Sequence, residues 1–248
     1  MKLEIAVVGV QGAVVAAGEG ADRIELCSAL ELGGLTPSQG LMESCLDAVA
    51  GIGGGSMEIH PLIRCRPGDF RYSDDDLATM VREIRALLAQ GAHGVVIGAL
   101  GAGNELDLDA ARRLADAARG TNPDAELTFH RAVDETPDPA AAVGQLVELG
   151  FTRVLSSGGA ADAGTGLPVL SRMVRSAAGQ LQVMAGGGLA IGDIPLMRQA
   201  GVDAVHLSAK RIVTPDGGGS GSAGGGPASY MVTDREIVRA ARRAVDAG

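Results

Sequence analysis

Three of the four histidines in this 248-residue chain sit in or just after short aliphatic runs: His60 in Glu58-Ile59-His60-Pro61-Leu62-Ile63, His130 after Leu127-Thr128-Phe129, and His206 in Ala204-Val205-His206-Leu207. Glu4, between Leu3 and Ile5, and Glu25, between Ile24 and Leu26, have similar surroundings. Carboxylate and imidazole groups gathered away from water can be tuned to exchange protons near neutral pH. Glu4 or Glu25 with His130 are the candidate acid and base, and His60 and His206 the candidates to orient a substrate. Arg64, Arg66 and Arg131 could hold a carboxylate or phosphate, with Asp134 positioning Arg131. Ser157, the glycine triplet Gly186-Gly187-Gly188 and Lys210 would add donors to an oxyanion. Some of these residue types also ligate zinc, copper or iron, but none has the close spacing of a local metal motif. Cys27 is the one thiol that shares a strand face with them.

Short β-branched runs must position these groups. They fall at Leu3–Val8, Arg23–Leu26, Met57–Ile63, Gly94–Ile97, Glu126–His130, Arg153–Leu155, Leu181–Ala185 and Ala204–Leu207. Helical spacing fills the intervals, for example Leu77, Met80, Val81, Ile84, Leu87 and Leu88 within Asp76–Gln90. Asp107–Arg119, Pro139–Leu149, Leu167–Ala177, Ile191–Ala200 and Asp234–Ala247 read the same way, and Gly91, Gly150, Gly179 and Gly201 stand where left-handed C-caps belong. Eight strand-helix units in one run of this length predict a TIM-like (β/α)8 barrel in a single domain, with an open doubly wound sheet as the alternative. Side chains alternate across a strand. The aliphatic faces therefore meet the helices, and Glu4, Glu25, His60, Arg64, His130 and His206 point into the barrel. The loops after the seventh and eighth strands are the usual phosphate site of such barrels. Gly51–Ser56 reads as a connector at the far end. Thr214–Ser229, rich in Gly and Ser, is either a lid over the site or a disordered segment.

Composition narrows the partners. With 21 Lys and Arg against 30 Asp and Glu, the net charge is −9. Two Tyr, three Phe and no Trp leave few stacking faces. Both facts argue against nucleic acid and anionic membrane surfaces. Three cysteines without a CxxC pair suggest neither a disulfide framework nor a structural zinc site. The opening lacks a basic region followed by an apolar stretch, so a cytoplasmic protein is expected. Lys2 and Lys210 are the only lysines and neither is mid-strand, which disfavours Schiff-base aldol chemistry.

Several ordered blocks resemble the CutC copper homeostasis family. They are Gly20-Ala21-Asp22-Arg23-Ile24-Glu25-Leu26-Cys27, Gly33-Gly34-Leu35-Thr36-Pro37-Ser38, His60-Pro61-Leu62-Ile63-Arg64-Cys65-Arg66-Pro67-Gly68-Asp69-Phe70, Thr128-Phe129-His130-Arg131-Ala132-Val133-Asp134, Arg153-Val154-Leu155-Ser156-Ser157-Gly158 and Met184-Ala185-Gly186-Gly187-Gly188. The resemblance implies a cytoplasmic, oligomeric TIM-like barrel, with copper(I) binding through cysteines as the activity proposed for the family. The chain has Ala6 where the family often has a first-strand Cys, and Cys65 where Pro is usual. Cys27 is then the only thiol that matches the family pattern. Three expectations follow: a copper protein dependent on Cys27, an enzyme acting on a small phosphorylated or carboxylated metabolite through the inward Glu/His/Arg set, or a rigid binding scaffold.

Overall fold

The computed structural model describes residues 1–54, 57–214 and 229–247. Eight parallel strands alternate with helices: β1 (Lys2–Val7), α1 (Val10–Gly18), β2 (Arg23–Leu26), α2 (Gln39–Val49), β3 (Glu58–Pro61), α3 (Asp74–Ala89), β4 (Gly94–Ile97), α4 (Leu108–Thr121), β5 (Glu126–Phe129), α5 (Pro139–Glu148), β6 (Arg153–Ser156), α6 (Leu167–Ala177), β7 (Gln182–Ala185), α7 (Ile194–Gln199) and β8 (Ala204–Leu207). A two-stranded hairpin, β9 (Lys210–Val213) and β10 (Tyr230–Thr233), precedes α8 (Arg235–Asp246). The strand order is β3-β2-β1-β8-β7-β6-β5-β4. The remaining seam closes just past β3, where Leu62 bridges Val96 and Ile63 N–H donates to Val96 O at 2.8 Å. The result is a TIM-like (β/α)8 barrel.

Alternation along the strands divides the side chains as their polarity demands. Leu3, Ile5, Ile24, Leu26, Ile59, Val95, Ile97, Leu127, Phe129, Val154, Val183 and Val205 are buried in the main core between strands and helices. Glu4, Arg23, Glu25, His60, Thr128 and Arg153 are also buried, on the opposite face. Two small apolar clusters share the barrel interior with them, Cys27–Leu62–Val96 and Leu155–Met184–Ala204.

Local signals account for most element ends. α3 starts at Asp74 because Ser73 and Asp76 form a reciprocal capping box, with Asp74, Asp75 and Asp76 at the positive end of the helix dipole. The apolar periodicity alone begins at Leu77, so a start at Asp76 was two residues late. Gly91, Gly150, Gly179 and Gly201 adopt φ between 72° and 106°, as expected of C-caps. The expected helix Ile191–Ala200 divides into a 3-10 turn at Ile191–Asp193 and α7. In α8, Val238, Ala241 and Val245 are buried. Arg235 and Arg239 on that helix both bond Glu19 at the end of α1.

The β9–β10 hairpin was not foreseen. The expected lid or disordered segment lies outside the described residues, apart from Thr214 and Ser229, and the expected connector at Gly51–Ser56 is described only to Gly54. Among the described residues, no helix is long and apolar enough to cross a membrane.

Candidate functional site

At the C-terminal mouth of the strands lies a cavity of about 250 Å³. Glu25, Arg64, His130, Arg131, Gly187, Gly188, His206 and Ser208 form its polar lining, and Leu30, Leu62, Phe70 and Leu155 its apolar lining. These residues come from β2, β6 and β8 and from the loops after β2, β3, β5, β7 and β8, which only barrel closure brings together.

One wall carries a chain of charged and imidazole side chains in contact. Arg23, fully enclosed, donates through Nε to the buried Glu4 carboxylate. The other Glu4 oxygen lies 2.7 Å from His206 Nδ1. His206 Nε2 in turn lies 3.8 Å from Glu25 Oε2. Burial would push the Glu4 carboxyl up, but Arg23 and the His206 hydrogen bond hold it well below the usual carboxylate range. An ionised carboxylate only accepts, so His206 carries its proton on Nδ1 and turns Nε2 toward Glu25. Burial lowers the His206 pKa, yet the Glu4 bond and the Glu25 charge outweigh it and raise the value. Burial, against the opposing pull of His206, pushes Glu25 up to about 7. A carboxyl raised toward neutrality in this way is suited both to take and to give a proton.

The opposite side is cationic. Arg131 Nε donates to Asp134 Oδ2 at 2.9 Å, and Nη2 donates to Ser157 Oγ at 3.1 Å. Asp134 also accepts from Ser156 Oγ (2.5 Å), Ser157 N (3.0 Å) and Gly159 N (3.1 Å), so it ties the β5 and β6 loops under the guanidinium. Gly187, at φ 89°, is required here: a Cβ would stand 2.5 Å from Arg131 Cζ. The expectation that Asp134 positions Arg131 holds. Ser157 supports Arg131 and does not itself line the cavity.

The structure corrects several other assignments. Arg64 borders the cavity, but its Nη1 donates to Leu32 O and Gly34 O at 3.0 Å each and its Nη2 to Gly68 O at 2.5 Å. It clasps two loops, so its fork is not free for a bidentate ligand. Arg66 pairs with Asp69 and Asp76 at the surface. Lys210 opens β9 and is exposed, because Ala209 takes φ 40° and turns the chain out of the barrel. Gly186 is a packing glycine, since a Cβ would fall 2.7 Å from Leu155 Cδ1 and 2.9 Å from His206 Cβ. Glu4 does not line the cavity and reaches it only through its contact with His206.

His130 does line the cavity, but not as a base. Burial and the Arg64 charge lower it to about 3, and Ala132 N–H donates to its Nδ1 at 3.2 Å. Its ring lies against the backbone of Gly98, where a Cβ would stand 2.5 Å from Cε1 and Nδ1. Gly98→Ala should therefore shift the ring or the strand and destabilise by about 1–3 kcal/mol, read from urea denaturation. Gly98 escaped the sequence reading, although the strand alternation that flagged the histidines also points it inward.

His60 sits deeper, fully enclosed, with neither ring nitrogen hydrogen-bonded to any of the described residues. Burial, then Arg23 and Arg153, keep it neutral by pushing its pKa well below the ordinary value. Around it Arg23 Nη1 donates to Glu58 Oε2 at 3.1 Å. Arg153 donates to Gln182 Oε1 (3.0 Å), Thr128 Oγ1 (3.0 Å) and Glu126 Oε2 (2.7 Å). Glu58, His60 and Glu126 place ligand atoms within 4.8 Å of one another, a spacing one cation could bridge. A cation there would compete with two buried guanidiniums for the same oxygens, and two carboxylates suit a harder ion than copper(I). Cys27 is fully buried in the Leu62–Val96 cluster, its Sγ 3.7 Å from Val7 O. Burial, then Glu25 and Glu31, push its thiol up, so the thiolate a metal needs is disfavoured.

Comparison with known proteins agrees with this architecture. The CutC family model matches residues 1–211, so β10 and α8 lie beyond the matched segment. A CutC family protein of Glaesserella parasuis serovar 5 is 40% identical over 211 residues, 85% of this chain and 83% of that protein. One from Caulobacter vibrioides is 42% identical over 207 residues, covering 83% and 80%. The crystal structure of a Streptococcus agalactiae protein assigned to copper homeostasis and called CutC superposes with TM-score 0.77 at 27% identity, over 84% of this chain and 98% of that one. On this match, and on the barrel whose mouth gathers the blocks first noticed in the sequence, the chain belongs to the CutC family.

Proposed function

We propose that the cavity binds a small molecule bearing a phosphate or carboxylate, and that Glu25 moves a proton on it with His206 and Glu4 behind. The observation that carries this reading is the Arg23–Glu4–His206–Glu25 chain, which ends in the cavity that Arg131 and Gly187–Gly188 also border. A buried, fully bonded carboxylate under a histidine sets that histidine's tautomer and charge. An arginine locked by Asp134 is ready for an anion without a further ordering cost.

Copper(I) binding is the finer reading attached to the family, and the donors present do not fit it. Copper(I) favours several soft ligands, whereas Cys27 is a single protonated thiol in an apolar cluster. No step is therefore assigned to copper.

Thermal-shift titration tests both readings. Phosphoglycolate, citrate and inorganic phosphate are titrated into the wild type and Arg131→Gln, and copper(I) into the wild type and Cys27→Ser. At least one anion should raise the melting temperature, and Arg131→Gln should weaken that binding about 10- to 100-fold through loss of a charge-assisted contact. Tight copper(I) binding abolished by Cys27→Ser, with no response to the anions, would reverse the assignment.

A further inference from the structure

Among the described residues that line the cavity, two buried side-chain nitrogens lack a hydrogen-bond partner, Arg64 Nε and His130 Nε2, and only the second belongs to a neutral group. Ala132 N–H donates to Nδ1 at 3.2 Å, so Nδ1 presents its lone pair and the ring proton of the neutral imidazole is on Nε2. Nε2 is buried and has no partner among the described residues. A buried N–H left unpaired is destabilising, a penalty that a ligand acceptor at that atom would remove. The ring is held in place from several sides. Phe70 lies over it with centroids 4.8 Å apart, Phe129 flanks it at 5.8 Å, and Gly98 leaves no side chain between the ring and β4. Burial and Arg64 keep it uncharged well below neutral pH.

A neutral donor is poorly matched to a full negative charge, and Arg131 already supplies a cation for one. It suits an uncharged acceptor whose negative charge grows during reaction, such as a carbonyl oxygen. We propose that the ligand is a carbonyl compound carrying an anionic group, that His130 Nε2–H polarises its carbonyl, and that Glu25 transfers the proton of the adjacent carbon. This rests on the acid–base reading of the cavity given above. In the step, the ionised Glu25 carboxylate takes the proton. The C–H electron pair forms the C=C bond, and the carbonyl π pair moves to the oxygen, which accepts from His130. Return of the proton from Glu25 to the same carbon restores the carbonyl. Where that carbon bears a hydroxyl, its O–H proton passes to the first oxygen, its oxygen forms the new C=O, and Glu25 protonates the former carbonyl carbon, so atoms and electrons balance without a further reactant.

The test uses the whole protein and two probes. Phosphoglycolohydroxamate carries a phosphate and an enediolate-like pair of oxygens, whereas ethyl phosphate carries the phosphate alone. Calorimetric titration should show the hydroxamate binding roughly tenfold tighter than ethyl phosphate, with the preference lost in His130→Phe and partly restored in His130→Gln. In 15N-histidine-labelled wild type, which needs no substitution to fold, the His130 signals should report the Nε2–H form from pH 5 to 8, and Nε2 should shift when the hydroxamate is added. An imidazolium or Nδ1–H form at pH 7 overturns the proposal. So does an equal preference for the two probes while ethyl phosphate still binds through Arg131, a result that leaves the anion site standing. Failure of both probes to bind the wild type overturns the proposal together with the reading it rests on.

Discussion

Arg23→Met is expected to destabilise the protein by about 3–5 kcal/mol at pH 7, the cost of breaking a buried ion pair from one side. At 2–4 °C per kcal/mol for a chain of this size, the melting temperature should fall by roughly 10 °C. Methionine conserves much of the stem volume beside Met184 Sδ, which lies 3.7 Å from Arg23 Nη2, so the loss is chiefly electrostatic. It leaves Glu4, fully enclosed, with His206 as its remaining partner. Because the folded-state pKa of Glu4 is depressed, its stabilising contribution is present above the unfolded-state value and disappears as pH falls. The Arg23→Met penalty should therefore shrink toward pH 4, where the stranded carboxylate protonates. Glu4→Gln combined with Arg23→Met should cost clearly less than the sum of the two single changes. Guanidinium denaturation at pH 7 and pH 4 gives all of these numbers. An unchanged cost across that pH range would contradict the assignment of the loss to Glu4.

Glu25→Gln should act in the opposite direction on stability while removing function. Burial raises the Glu25 carboxyl to about 7 in the folded protein. Between pH 4.5 and 7 the unfolded chain releases this proton and the folded one keeps it, so stability falls as pH rises. A shift of that size is worth up to about 3 kcal/mol above pH 7. His206, whose pKa is also raised, loses its contribution in the same direction as it deprotonates. Glutamine removes the Glu25 part, so the variant should match the wild type near pH 4 and exceed it at pH 8. The gain is reduced by the attraction between Glu25 and protonated His206 that the variant also loses. Anion binding through Arg131 should survive, and turnover, once a substrate is in hand, should fall about 10²- to 10⁴-fold as for a removed general base. Melting curves at pH 4 and pH 8 suffice for the stability half. A variant less stable than the wild type at pH 8 would show that Glu25 is a structural ion-pair member.

The direction of each inward side chain was readable from sequence because strands alternate with period two and the helix-facing side must be aliphatic. That rule located Glu4, Glu25 and His206 correctly. It gives a face and not a height along the barrel, so it could not separate Glu4 and His60, which lie deep, from Glu25 and His206 at the mouth. It also stops where the strand stops. β3 ends at Pro61, and Arg64 curls back to clasp the loops around Leu32, Gly34 and Gly68. Lys210 was misplaced for a related reason, since the turn at Ala209 redirects the chain into a hairpin. Arg153 has the same parity as Leu155 and was legible, yet an arginine opening a strand reads as an edge residue. Only its partners Gln182, Thr128 and Glu126, brought together by closure, allow it to be fully buried.

The most direct test is a crystal structure of the protein soaked in phosphoglycolate, with difference density examined at the mouth of the barrel. A ligand is expected within hydrogen-bond distance of Arg131 and the Gly187–Gly188 backbone, and beside Glu25. Clear density for the anion bound elsewhere, with solvent alone among Glu25, His130, Arg131 and His206, would contradict it.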